Sequence, residues 1–217
     1  MKTVVLDSST IISLSLNSLL DVLRLLKKNS EVRFLITPEV KKEVVDNPLQ
    51  MRRFELEALM ISKLIEEKVL EVMSQPILEA ETKRFCELSN SVYSAQGEKI
   101  RIVHYGEASC LALSSLIPDS VIAMDERTTR MLCESPNSFR KLMSEKLHAD
   151  VQIDKSNLKF FSGFKILRSS ELAYVALEKN LISFPATEEQ AVRAVLYALK
   201  HKGCAISREE IEEAESM

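Results

Sequence analysis

Short apolar runs alternate with longer stretches of helical spacing along this 217-residue chain, and that alternation sets the first expectations. TVVL at 3–6 carries Val and Leu without polar alternation, which suits a strand covered on both faces. DSST follows as a helix start. The next stretch spaces Leu16, Leu19, Leu20, Leu23 and Leu26 helically and ends in Lys27 and Lys28, charges that favour a helix C-terminus. A single helix is expected there. VRFLIT at 32–37 reads as a second strand, Pro38 opens a helix through PEVKKEVV, and Pro48 stops it.

Residues 51–70 predict an amphipathic helix with Phe54, Leu56, Leu59, Met60, Leu64 and Ile65 as its apolar face. VLEVM then reads as extended, 77–94 as helical, and GEASCLALSSLI as a compact buried helix. VIAM at 121–124 is another buried strand, followed by the charged helix start DERTTRML. The pattern breaks over 134–163, where Ser, Pro, Asn and Gly mix with charges. FKIL at 164–167 resumes as a strand, and SSELAYVALEKN follows as a helix capped by Ser169 or Ser170. Two helices close the chain, TEEQAVRAVLYALKHKG and SREEIEEAES, with Thr187 and Gln190 as a capping-box pair and Gly203 as a C-cap. Strands alternating with helices predict an α/β fold with a mostly parallel sheet.

Composition narrows the class of protein. The chain is 46% hydrophobic and 28% charged, ordinary values for a globular protein. No apolar run approaches a bilayer span, and the run in MKTVVLD is too short for a signal peptide, so a cytoplasmic protein without a membrane partner is expected. Cys86, Cys110, Cys133 and Cys204 have no paired-ligand spacing, and His104, His148 and His201 are far apart, which argues against a zinc site or a disulfide framework. Cys110 and Cys133 sit in apolar helical patterns and read as small core residues. A net charge of −3 disfavours nonspecific coating of duplex DNA. Four glycines are too few for a P-loop or a dinucleotide fingerprint, and no G-x-S-x-G elbow is present.

The candidate chemistry lies in carboxylates at the ends of apolar elements. Asp7 directly follows TVVL and Asp125 directly follows VIAM; Glu107 stands in the first turn of the GEASCLAL helix and Glu43 on the helix after the second strand. In an open parallel sheet, sites form at the C-terminal ends of strands. Taken singly, Asp7 and Asp125 read as helix N-caps, Glu107 as a macrodipole partner and Glu43 as a solvated residue. Taken together, in this order and spacing, they make a self-repelling cluster that stays partly protonated or holds a divalent cation. Oxygen ligands without Cys or His select Mg²⁺ or Mn²⁺, the ions of phosphodiester hydrolysis by activated water.

VVLDSSTIISL, ITPEVKKEV, GEASCLALS, VIAMDERTTRML and FKILRSSELAYVALEKNLI resemble, in that order, the successive signatures of the PIN-domain nucleases. The resemblance covers residues 1–182 with an insertion at about 134–163, leaving 183–217 as a C-terminal helical extension. It implies a Rossmann-like three-layer α/β/α sandwich and a Mg²⁺- or Mn²⁺-dependent endoribonuclease acting on single-stranded RNA, in RNA processing or as the toxin of a toxin–antitoxin pair. Asp7, Glu43, Glu107 and Asp125 take the positions of the family's metal-binding, catalytic acids. Ser9 matches the small polar residue supporting the first aspartate, and Glu126 falls where a second acid is common. Glu107 stands where an aspartate is usual, and Ala123-Met124 where a hydroxyl residue often precedes the acid.

Partners implied by the resemblance are RNA, an antitoxin protein and a second copy of the chain in a homodimer or higher oligomer. Val192, Val195, Leu196 and Leu199 offer an apolar face for self-association. Arg127 and Arg130 read either as phosphate holders beside the site or as surface ion-pair residues. In the insertion, Arg140, Lys141, Lys146, Lys155 and Lys159 with Phe160 and Phe161 read as a grip on single-stranded RNA, a mobile loop or an oligomer contact. The second reading of the whole chain is a PIN-fold scaffold that binds RNA or protein without cutting.

Overall fold

A computed structural model of the chain describes residues 2–215. Eight strands are formed: β1 (Lys2–Leu6), β2 (Val32–Ile36), β3 (Leu70–Val72), β4 (Tyr93–Ala95), β5 (Glu98–Lys99), β6 (Val121–Ala123), β7 (Val151–Ile153) and β8 (Lys165–Leu167). Twelve α-helical segments accompany them: α1 (Ser8–Leu16), α2 (Asp21–Asn29), α3 (Pro38–Lys41), α4 (Glu55–Glu66), α5 (Pro76–Ser89), α6 (Tyr105–Ser115), α7 (Arg127–Glu134), α8 (Pro136–Leu147), α9 (Lys155–Leu158), α10 (Ser169–Glu178), α11 (Glu188–His201) and α12 (Arg208–Glu215). The protein is an α/β fold. Its central sheet has five parallel strands in the order β3-β2-β1-β6-β8, flanked by helices in an arrangement compatible with a three-layer sandwich.

The strand order determines where a crevice opens. From β1 the chain steps outward to β2 and β3, then returns to the other side of β1 for β6 and β8. The connections on either side of the β1/β6 pair therefore diverge, and in parallel sheets this switch point is where ligands bind, beyond the C-terminal strand ends. Val4, Val5 and Leu6 of β1 lie opposite Val121, Ile122 and Ala123 of β6. The Asp7 N–H continues the ladder to the Ala123 carbonyl at 2.9 Å. Val5, Leu6, Phe34, Leu35, Ile36, Ile122 and Ala123 are completely buried, as apolar runs covered on both faces require.

Several expectations need correction. The stretch after DSST forms two helices, α1 and α2, bent by 110°, because Ser18 adopts a left-handed backbone (φ 57°) and ends the first. The bend buries Leu14 and Leu23 together with Leu19 and Leu20, which one straight helix of this length would spread along its axis. Helix α4 is rotated from its predicted face. It buries Ala58, Ile61 and Leu64, while Leu56, Leu59 and Met60 are exposed. No single helix among the described residues is long and apolar enough to cross a membrane.

Residues 134–163 are ordered rather than loop-like. Helix α8 leads into β7, which pairs antiparallel with β4, and β4 pairs with β5 to complete a second, three-stranded sheet. Phe139, Val151 and Phe161 from this stretch are buried, and the Phe139 ring meets Tyr93 edge-on with centroids 5.1 Å apart. The Tyr93 hydroxyl donates to the Pro136 carbonyl at 3.0 Å. At the C-terminus, Thr187 caps α11 through the Gln190 N–H, and Gly203 follows the helix with φ 117°. The Val192, Val195, Leu196 and Leu199 face is buried within the chain, where α11 packs against α10 and α12.

If residues 134–163 belong to the folded body, Phe139→Ala lowers unfolding free energy by about 3 kcal/mol, the cost of truncating a buried aromatic. Urea denaturation measures it, and a loss below about 1 kcal/mol would instead mark a peripheral segment.

Candidate functional site

The first strand ends on Asp7, and its side chain does two things at once. As the N-cap of α1 it accepts from the Ser9 N–H through Oδ2 at 3.0 Å, and the Ser9 hydroxyl donates to the same oxygen. Its other oxygen, Oδ1, lies 3.8 Å from the Cys110 thiol, a weak donor. An ordinary N-cap is solvent-facing; Asp7 is 1% exposed. Burial pushes its carboxyl up to about 6 from 3.8, opposed by the Ser9 hydrogen bonds and reinforced by the negative charge of Glu43.

Glu107 lies in the first turn of α6, where its carboxylate accepts from the His104 N–H and so caps the helix. It is partly buried, and burial pushes it up to about 7 against that hydrogen bond; Asp7, Glu126 and Glu43 all add to the rise. Glu43 arrives from another direction, on the π-helical turn Lys42–Asp46 that continues α3. Its carboxylate sits over Gly106. A methyl group built on Gly106 would lie 2.5 Å from Glu43 Oε1 and 3.1 Å from Cδ, so the absent side chain is what makes the seat. Wide turns of this kind often mark functional positions in helices.

The end of β6 supplies two acids with different surroundings. Asp125 is 1% exposed, and both its oxygens are engaged by the start of α10: Oδ1 by the Ser169 N–H at 2.7 Å and Oδ2 by the Ser169 hydroxyl at 2.6 Å. Thr10 Oγ1 lies 3.5 Å from Oδ1. The Asp125 N–H donates to Ser9 Oγ at 3.0 Å, so Ser9 ties the two strand ends together. Glu126 caps α7, accepting from Thr128 N–H and Thr129 N–H, and is the β6-end acid whose charge is felt at Glu107.

The strand ends thus bring Asp7, Glu43 and Glu126 within electrostatic reach of Glu107, and Glu43 within reach of Asp7, with Asp125 turned toward α10. Among the described residues, no three or more His, Cys, Asp or Glu side chains stand close enough together to hold a metal ion as placed, so a cation here requires the acids to move toward one another. Arg130 is directed away from the crevice: it donates to the Ala205 carbonyl at 3.1 Å and pairs with Glu134. Arg127, the first residue of α7, is exposed. Sequence reasoning missed Ser169, Thr10 and Gly106. The sequence pattern offers Ser169 or Ser170 as the helix cap, whereas α10 is capped by the Glu171 carboxylate accepting from the Arg168 N–H, which leaves Ser169 for Asp125. Comparison with protein-family models, curated proteins and solved structures finds no match for this chain.

Two carboxyls with folded pKa values above their unfolded ones bind more protons in the folded state than in the unfolded state. Stability of the ion-free protein therefore falls as pH rises through the window from about 4 to 7 set by Asp7 and Glu107. Asp7→Asn keeps the cap and removes the buried charge. Urea unfolding at a series of pH values should show a flatter decline in the variant; an identical decline would mean that Asp7 titrates normally.

Proposed function

We propose that the chain is a PIN-domain endoribonuclease that cuts single-stranded RNA with the help of Mg²⁺ or Mn²⁺. The observation that carries this reading is the set of acids drawn together at the switch point, with Asp7 buried and Asp7 and Glu107 both pushed toward neutrality. A carboxyl whose only duty is to cap a helix gains nothing from such burial, because desolvation opposes its charge. A cation among the acids removes that penalty, and the donor set is oxygen only, the chemistry of a hard ion. Asp7, Glu43 and Glu107 are the residues that would hold it, with Glu43 seated in the space left by Gly106, while both oxygens of Asp125 and of Glu126 accept hydrogen bonds from the chain itself. When bound, such an ion supplies a water acidic enough at neutral pH to attack a phosphodiester.

The remaining roles belong to this chain's own groups. Ser9 fixes the Asp7 carboxylate through Oδ2 and holds the Asp125 N–H, keeping the two strand ends at one separation. Asp125 acts as a positioning residue between Ser9 and Ser169 rather than as a donor. Arg127, exposed one residue beyond Glu126, is the nearer candidate for a substrate phosphate, since Arg130 is held elsewhere.

Two experiments test the reading. Wild-type protein with Mn²⁺ is expected to cleave an unstructured RNA, and Asp7→Asn to lower that rate about a hundredfold or more while circular dichroism is unchanged. Equal cleavage by the variant would sink the site; retention of RNA without cleavage by the wild type would favour the scaffold reading. Gly106→Ala places a methyl where the Glu43 carboxylate rests, yet suits a helix. Calorimetry should then show Mn²⁺ affinity about tenfold weaker with thermal stability equal or higher. Unchanged affinity would remove Glu43 from the donor set.

A further inference from the structure

A cleft of about 640 Å³ lies at the opposite end of the sheet, beside the N-terminal ends of β6 and β8. Its lining includes Arg84 of α5, Ser120 before β6, and Phe160, Phe164 and Lys165 around the turn into β8. Phe160 is 37% exposed, although its neighbour Phe161 is fully buried. Phe161 and Phe164 each meet the Phe85 ring edge-on, with centroids 6.0 and 5.9 Å away, so the residues on either side of Phe160 are anchored on an aromatic cluster. The Arg84 guanidinium lies 5.3 Å from the Phe160 centroid and the Lys159 ammonium also 5.3 Å. An exposed aromatic ring carrying two cations is a stacking surface with charge beside it.

The charges around the ring are unevenly matched. Arg84 is paired with half-buried Glu81 at 3.1 Å, and Lys165 with Asp119 at 3.7 Å on exposed side chains, where such a pair contributes little. Lys159 has no acidic partner among the described residues. Arg84 and Lys165 thus balance Glu81 and Asp119 in the lining, and Lys159, beside Phe160 at the rim, adds one unmatched positive charge. Gly163 makes the turn that presents this wall, with φ 103° and open space where a side chain would project.

We infer that this cleft is a second contact for the RNA strand, at which a base stacks on the Arg84–Phe160 layer and an adjacent phosphate meets Lys159. The inference rests on the ribonuclease reading and adds to it a substrate-gripping site remote from the acids. Ser120 and Asp125 bracket β6 five residues apart, at most about 17 Å, a distance that a few nucleotides of single-stranded RNA span. The recognition is sequence-tolerant, because every base has a face to stack.

The test uses the full chain carrying Asp7→Asn, in EDTA, so that binding is read without cleavage. A fluorescent oligouridylate of about 12 nucleotides is titrated and followed by polarisation. Phe160→Ala and Arg84→Glu are each expected to weaken binding about tenfold, and Phe160→Tyr to restore it. Both positions are at the surface, so circular dichroism of all three variants should match the parent. Binding within twofold of the parent in both Phe160→Ala and Arg84→Glu would overturn the proposal, as would a Phe160→Tyr variant no better than Phe160→Ala. The two readings fail separately. Wild-type cleavage with no dependence of binding on Phe160 removes this cleft and leaves the nuclease; binding that depends on Phe160 in a wild type that cuts nothing removes the nuclease and leaves the cleft.

Discussion

Two nearly inaccessible carboxylates, Asp7 and Asp125, end adjacent strands of the central sheet, and everything nearby is arranged to keep them there. A buried carboxylate without donors is costly, and the fold answers with two serines. Ser9 donates its hydroxyl to Asp7 and accepts from the Asp125 N–H; Ser169 gives both its N–H and its hydroxyl to Asp125. The resulting chain of hydrogen bonds runs from α10 through β6 to β1. It holds the sheet closed at the switch point and presents Asp7 to Glu43 and Glu107 in the crevice beyond.

The asymmetry between the two aspartates bears on chemistry. Asp125 has good donors on both oxygens and so behaves as part of the framework. Asp7 has good donors on Oδ2 and only a distant thiol at Oδ1, within the influence of two other acids. An unfavourable local arrangement of this kind is maintained by favourable packing elsewhere. The fully buried strands β1, β2 and β6 provide that packing.

The C-terminal part is tied to the same region. Arg168 and Arg130 each donate to the Ala205 carbonyl at 3.1 Å, and Arg168 also pairs with Glu171 and with Glu210 of α12. Arg130 belongs to α7, whose first turn is capped by Glu126, and Arg168 immediately precedes Ser169. One backbone carbonyl thus links the two helices that carry Glu126 and the donor to Asp125. Residues beyond 182 serve as a brace behind the crevice as well as a cover for α10.

Apolar runs were enough to place the main strands of the parallel sheet, and Asp7 and Asp125 at their ends, because burial on both faces leaves a local signature in composition. Local patterns carry no record of rotation or of distant partners. Helix α4 has apolar residues on two sides, and only packing selected Ala58, Ile61 and Leu64 over Leu56, Leu59 and Met60. The bend at Ser18 uses a left-handed residue that is not glycine, so no turn signal announced it. The second sheet joins β4 to β7 across more than fifty residues, a pairing that short-range periodicity cannot encode. Most telling is Asp125, whose position was legible while its partner, Ser169, lies 44 residues away. Sequence determined which acids reach the crevice edge; three-dimensional packing decided which of them face into it, since a carboxylate turns toward the nearest donors and those come from elsewhere in the chain.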